Sequence, residues 1–163
     1  MDTRRGKEDY YLDIADAVLN RSTCMRRKYG AIIVRNDEIL STGYNGAPRG
    51  RRNCTDLGIC TRENLGIPSG QRYELCRSVH AEANAIISAA RRDMLGGTLY
   101  LVGRDAKTHE LLEETMPCSM CKRLIINAGI TQVVVRTGSE SSRVIHVRDW
   151  VFGDDSLPGE VNE

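Results

Sequence analysis

Tryptophan and phenylalanine are scarce: one of each stands in 163 residues, beside six tyrosines. Neither charge sign dominates, since 23 Lys and Arg face 22 Asp and Glu for a net charge of +1. That balance leaves no global field to draw the chain to a polyanion or a membrane surface. A nucleic-acid binder is expected to show a basic stripe with stacking aromatics, and the near-neutral charge with a single Trp150 and a single Phe152 stands against that reading. Long apolar runs are missing as well. The longest aliphatic stretches reach about four residues, as in Ala31-Ile32-Ile33-Val34, where a spanning helix needs roughly 20. The opening stretch, Met1 to Asp9, carries charges with no apolar segment behind them, so no secretory signal is expected. Repeats and low-complexity blocks are also lacking. The reading is of a cytoplasmic protein with residues 1–163 forming one domain, long enough to bury a sizeable core. Six cysteines in such a chain point to metal or catalysis more than to disulfides.

Apolar periodicity then orders the chain. Tyr11, Ile14, Ala15, Val18 and Leu19 recur at helical spacing within 8–21. The Arg26-Arg27-Lys28 cluster that follows is either a solvated turn or a phosphate contact. Tyr29 to Arg35 and Glu38 to Tyr44 are expected to form a hairpin across Asn36-Asp37. Gly43 to Pro48 is expected to be a tight loop, in which Asn45 is either a turn residue or a binding group. Gly50 to Arg77 shows little periodicity and holds Cys54, Cys60 and Cys76. A structureless run of that length inside a compact domain needs something to hold it. With Cys24, these thiols would make a second, structural zinc site, although the spacing contains no C-x-x-C knuckle; buried free thiols or a disulfide are the alternatives.

Ser78 is expected to cap a helix over His80 to Arg92 that buries Ala83, Ile86, Ile87 and Ala90. Thr98 to Gly103 reads as a strand and 104–117 as a polar connection. Cys118 to Ala128 reads as a helix stopped by Gly129. Thr131 to Arg136 and Arg143 to Val147 read as strands, and the acidic stretch 153–163 as a frayed tail. Helices alternating with five strands predict an α/β, three-layer α-β-α domain around a mixed central sheet.

The chemistry concentrates in two short motifs. His80-Ala81-Glu82 supplies an imidazole and a carboxylate two residues on. Pro117-Cys118-Ser119-Met120-Cys121 supplies two thiols at i and i+3, on one face of a helical turn. One nitrogen and two sulfurs leave a tetrahedral zinc with an open fourth position, the arrangement of a catalytic rather than a structural site. His80 and Cys118 each begin a helix, whose positive end suits anionic sulfur. Zinc hydroxide would be the nucleophile, and Glu82, beside a ligand but not needed as one, would take the proton of the water and return it elsewhere. The competing arrangement is a structural zinc closed by His109 or Cys76, which leaves Glu82 without a role.

The pattern H-x-E…P-C-x-x-C is the signature of zinc-dependent nucleobase deaminases. Together with Arg21-Ser22-Thr23-Cys24, Gly43-Tyr44-Asn45-Gly46, His80 to Ile86 and Ile126 to Ile130, it resembles the cytidine deaminase superfamily. Within that superfamily the chain is similar to deoxycytidylate deaminases and the related late-competence proteins, over about residues 8–136. The resemblance implies a cytidine deaminase-like fold, hydrolysis of dCMP to dUMP and ammonia, a nucleotide as the small-molecule partner, and a homo-oligomer. It implies a second, structural zinc on Cys24, Cys54, Cys60 and Cys76. It also implies substrate contacts at Asn45 (sugar), Arg26 (phosphate) and Ala81. Many deoxycytidylate deaminases carry a phosphate-holding tyrosine after the last family strand. Here Arg136 to Arg143 has none, so Arg136, Ser139 or Arg143 is expected to substitute, or the substrate is not a monophosphate. The same zinc pattern occurs in tRNA adenosine deaminases, which the near-neutral charge disfavours. A zinc-stabilised interaction protein without catalysis is disfavoured by Glu82 standing beside intact ligands.

Overall fold

The computed structural model describes residues 3–153; the expected acidic tail lies outside them except for Gly153. A five-stranded sheet in the order β2-β1-β3-β4-β5 is built from β1 (Arg27–Arg35), β2 (Glu38–Tyr44), β3 (Thr98–Asp105), β4 (Gln132–Arg136) and β5 (Ser142–His146). Only β3 and β4 run parallel; the other neighbours are antiparallel. The hairpin turn falls on Asn36 and Asp37, both at positive φ (51° and 60°), as a two-residue primed turn requires. The parallel step from β3 to β4 is made through helix α6 (Ser119–Ala128).

The strands are apolar on both faces because helices cover both. Ala31, Ile33, Leu99, Leu101, Val133 and Val135 face one side, while Ile32, Val34, Val102 and Val134 face the other. Helix α1 (Lys7–Leu19) seats Tyr11, Leu12, Ala15 and Leu19 on the second face, with Glu8 and Asp9 at its positive end. The first face carries α4 (Ala81–Ile87), α5 (Arg91–Met94), α6 and α7 (Val147–Phe152). One glycine sets how closely the site-bearing helix approaches. A Cβ at Gly43 would lie 2.3 Å from the Ala81 carbonyl oxygen and 2.4 Å from the Ala85 nitrogen, so α4 rests backbone to backbone on β2.

The structure departs from expectation in several places. Gly43 and Tyr44, expected both to end the strand and to open the loop, belong to β2, so the strand has the expected bounds and the loop starts later. The helix expected over 80–92 breaks after Ile87 and resumes as α5, which plugs Met94 into the core. His80, not Ser78, occupies the capping position of α4, with no side-chain cap bond. Ala81 and Ala85 are the fully buried core residues of α4 and Ile86 packs against the same core as expected, but Ile87 is 74% exposed and Ala90 is exposed as well. The close seat on Gly43 turns the small residues inward, and two residues on from Ala85 a helical side chain points away. Segment 50–77 contains single-turn helices α2 (Cys54–Leu57) and α3 (Thr61–Asn64) and a 3-10 turn at Tyr73–Leu75. Val147 starts α7 instead of ending β5. Among the described residues no helix is long and apolar enough to cross a membrane.

Candidate active site

Both metal-ligating motifs sit at helix starts on the same face of the sheet. His80 and Cys118 are the residues immediately before α4 and α6, in extended conformation (ψ 153° and 169°), and Cys121 lies one turn into α6. The His80 Nδ1 stands 3.4 Å from the Cys118 Sγ and 3.5 Å from the Cys121 Sγ. Tetrahedral zinc with ordinary Zn–N and Zn–S bonds places such a nitrogen and sulfur about 3.6 Å apart. The donor set and its spacing therefore fit zinc, and this is the one such triad of His, Cys, Asp and Glu among the described residues. A hydrogen bond from the Cys121 thiol, then His80, pulls Cys118 toward thiolate, and the same bond holds the proton on Cys121. The Cys118 sulfur in turn raises the His80 imidazole.

Glu82 follows in the first turn of α4 at 5% exposure, and burial pushes its carboxyl up. It lines, with His80 and Cys118, a pocket of about 110 Å³. Asn45 reaches the same pocket but is heavily used by the fold. Its Oδ1 accepts from the Ser22 hydroxyl (2.6 Å) and the Tyr29 N–H (2.8 Å), and its Nδ2 donates to the Arg27 carbonyl (2.8 Å). One amide hydrogen is left for a ligand. The structural reading of Asn45 is met, since it ties β1 to the loop, and the remaining donor leaves room for the binding one. Arg26 also lines the pocket, with its Nε 2.9 Å from Glu63. Ala81 does not line it; its methyl is in the core, so any ligand contact it makes is through the main chain.

The four remaining cysteines are free. Cys24, Cys60 and Cys76 stand in the pocket wall and Cys54 is buried beside them. Burial and then the neighbouring Cys24 and Cys76 raise the Cys54 thiol. They are gathered together without three of them converging to the spacing of the His80 triad. Arg136 does not replace the missing tyrosine. It is 4% exposed and donates to Asp13 (2.8 Å) and to the Ser139 carbonyl (2.7 Å), tying the end of β4 to α1. Neither Ser139 nor Arg143 lines the pocket. Among the pocket residues that went unread in the sequence are Arg62, Ser69 and Tyr73, all from the segment without periodicity. Their spacing carries no signal, and only the folded segment brings them to the site.

A mixed sheet that presents one imidazole and two thiols from two helix starts, with a buried carboxylate alongside, defines a zinc hydrolase-type centre. Residues 5–137 match the cytidine and deoxycytidylate deaminase zinc-binding region, and the chain belongs to that family. It is 39% identical over 132 residues to a deoxycytidylate deaminase of Mycobacterium phage D29, covering 78% of this chain and 91% of that protein. It is 36% identical over 130 residues to the deoxycytidylate deaminase of Schizosaccharomyces pombe, covering 80% of this chain but only 37% of the yeast protein. Among solved structures it resembles the dCMP deaminase of cyanophage S-TIM5 in complex with dCMP and dUMP. That match has a TM-score of 0.57 and 28% identity, over 82% of this chain and 84% of the other.

Proposed function

We propose that the protein hydrolyses dCMP to dUMP and ammonia. The observation that carries this reading is the charge of the pocket: Arg26, Arg27 and Arg62 line it, against the single carboxylate of Glu82 beside the metal ligands. In a chain of net charge +1 that is a local concentration of cation suited to a phosphorylated substrate. His80, Cys118 and Cys121 would hold the zinc, which when bound supplies a Lewis acid that makes water nucleophilic near neutral pH. Glu82 accepts the proton lost by that water. It passes that proton to the ring nitrogen as water adds at the amino-bearing carbon. It then takes the second proton from the hydroxyl now on that carbon and gives it to the exocyclic amine, so that the carbonyl forms, the carbon–nitrogen bond breaks and ammonia leaves. Its burial, which favours the protonated carboxyl, suits a group that must carry a proton between steps. The free amide hydrogen of Asn45 is offered to the sugar.

The finer parts of the reading have their own supports. A second zinc on Cys24, Cys54, Cys60 and Cys76 is favoured by four free thiols gathered around Cys54. Self-association is favoured by Ile87, Met120 and Leu124, exposed on α4 and α6. A cytoplasmic location accords with six unpaired cysteines. Residues 1–163 are taken as one deaminase unit, with 50–77 as its cysteine-rich insertion.

The test follows the ultraviolet loss of the cytosine amine with dCMP, CMP, deoxycytidine and dCTP side by side, with Glu82→Ala as the blank. Turnover of dCMP well above deoxycytidine is expected. No turnover of any of the four by zinc-loaded protein overturns the reading.

A further inference from the structure

Arg62 is the second of two buried arginines, and the two are partnered in opposite ways. Arg136 is matched by Asp13. Arg62, at 7% exposure, has no carboxylate partner among the described residues. Its Nε donates to the Gln71 carbonyl at 3.0 Å and its Nη2 to the Pro68 carbonyl at 3.1 Å, and the guanidinium carbon lies 4.5 Å above the Tyr73 ring. A guanidinium has five N–H groups, so three remain, two of them on Nη1. Nη1 is not among the buried atoms without a partner, and Arg62 lines the pocket beside His80 and Glu82, so these hydrogens are open to a ligand there. Tyr73 is packed on its other side, edge-on to the His80 ring at 4.9 Å between centroids.

This is a cation held in one orientation by two carbonyls and a ring, with its remaining donors aimed at the site and no anion to complete it. A buried guanidinium without a counter-charge is costly to keep, and an anion with two adjacent oxygens matches its fork. Arg26, by contrast, spends its Nε on Glu63, the residue next to Arg62. We propose that Arg62 reads the phosphate of the substrate, with Tyr73 as the residue that positions it, so that the 50–77 segment sets the preference for nucleotide over nucleoside. The inference rests on the deamination reading only for the identity of the attached nucleoside.

The test is therefore a binding measurement that does not need turnover. Zinc-loaded wild type, Arg62→Gln, Arg62→Lys and Arg26→Gln proteins are titrated calorimetrically with dUMP and with deoxyuridine, zinc content and circular dichroism being matched first. Wild type is expected to prefer dUMP. Arg62→Gln should cut dUMP affinity by about tenfold to a hundredfold, the worth of charge-assisted hydrogen bonds, while leaving deoxyuridine unchanged. Arg62→Lys should recover part of the preference, and Arg26→Gln should lose less than Arg62→Gln. Equal losses for dUMP and deoxyuridine would show that Arg62 acts through His80 or the fold, and would overturn the proposal. So would an undiminished dUMP preference in both Arg62 variants, or no preference in the wild type. Intact, Arg62-dependent preference for dUMP in a protein that deaminates nothing would sink the deamination reading and leave this one standing.

Discussion

Gly43→Ala is the smallest change that should move the metal site without touching a ligand. The added carbon would sit 2.3 Å from the Ala81 oxygen and 2.4 Å from the Ala85 nitrogen, both main-chain atoms that no rotamer change can withdraw. For ordinary contact α4 must retreat from β2 by about 1 Å. His80 immediately precedes that helix, while Cys118 immediately precedes α6, Cys121 lies within it, and both stay with the other half of the sheet. Metal sites tolerate about 0.2 Å in ligand distance. Overpacking of this kind costs about 1–3 kcal/mol, and a misplacement of about 1 Å at a reacting centre costs about a hundredfold in rate. The assays are urea unfolding of zinc-stripped and zinc-loaded protein, and competition for zinc against a chromophoric chelator. The stripped protein should lose about 1–3 kcal/mol, and zinc affinity should fall by about tenfold or more. Gly6→Ala, where nothing lies within 4 Å, serves as the control. Unchanged stability and zinc affinity in Gly43→Ala would refute the claim that the backbone contact positions His80.

Other perturbations separate the remaining roles. Glu82→Gln should retain zinc and lose about a hundredfold to ten-thousandfold in turnover, read by the ultraviolet assay beside a metal determination; turnover near wild type would remove Glu82 from the proton path. Arg136→Met should destabilise by about 1–3 kcal/mol, since Asp13 keeps solvent on one side, yet leave KM for dCMP unmoved. A raised KM would return Arg136 to the phosphate. The Tyr11 phenol donates to Asp37, and that bond, then burial, pushes its pKa up to about 12. The folded protein thus holds this proton longer than the unfolded chain does. The contribution is complete below about pH 10 and is lost as pH rises through about 12. Tyr11→Phe should flatten the fall in unfolding free energy over that window, and identical slopes would refute the coupling.

The parts legible in the sequence are those governed by short-range rules. Cys118 and Cys121 are one helical turn apart wherever they fold, and the Asn36-Asp37 turn needs only residues that accept positive φ. The central strands announce themselves as near-continuous apolar runs because both faces are covered. The break after Ile87 was not legible, because Ser88-Ala89-Ala90 contains nothing that forbids a helix. The chain leaves the helix there to bury Met94 and to close Gly97 N–H on the Met94 carbonyl at 2.8 Å, a tertiary demand that outweighs local preference. Segment 50–77 was opaque for the same reason. Its one-turn helices are too short to be stable alone. They are held by contacts such as Arg62 to Gln71 and Pro68, Arg77 to the Arg52 carbonyl, and the Asn53 N–H to Asp56 at 2.9 Å.

The two parts of the pocket therefore differ in what holds them. The metal ligands and Glu82 ride on helices seated against the sheet, where Gly43, Ala81 and Ala85 leave little room for movement. The wall that carries Arg62 and Tyr73 rests on carbonyl hydrogen bonds, one cation–ring contact and the Arg26–Glu63 pair, with little buried apolar surface of its own. Segments held in that way open at lower free energy than the core they lean on. A zinc on the four cysteines would tie Cys54, Cys60 and Cys76 of this wall to Cys24, which lies just before β1 on the sheet side. On this reasoning such a metal would serve substrate choice more than chemistry. Its loss would loosen Arg62 and Tyr73 while His80, Cys118, Cys121 and Glu82 kept their places.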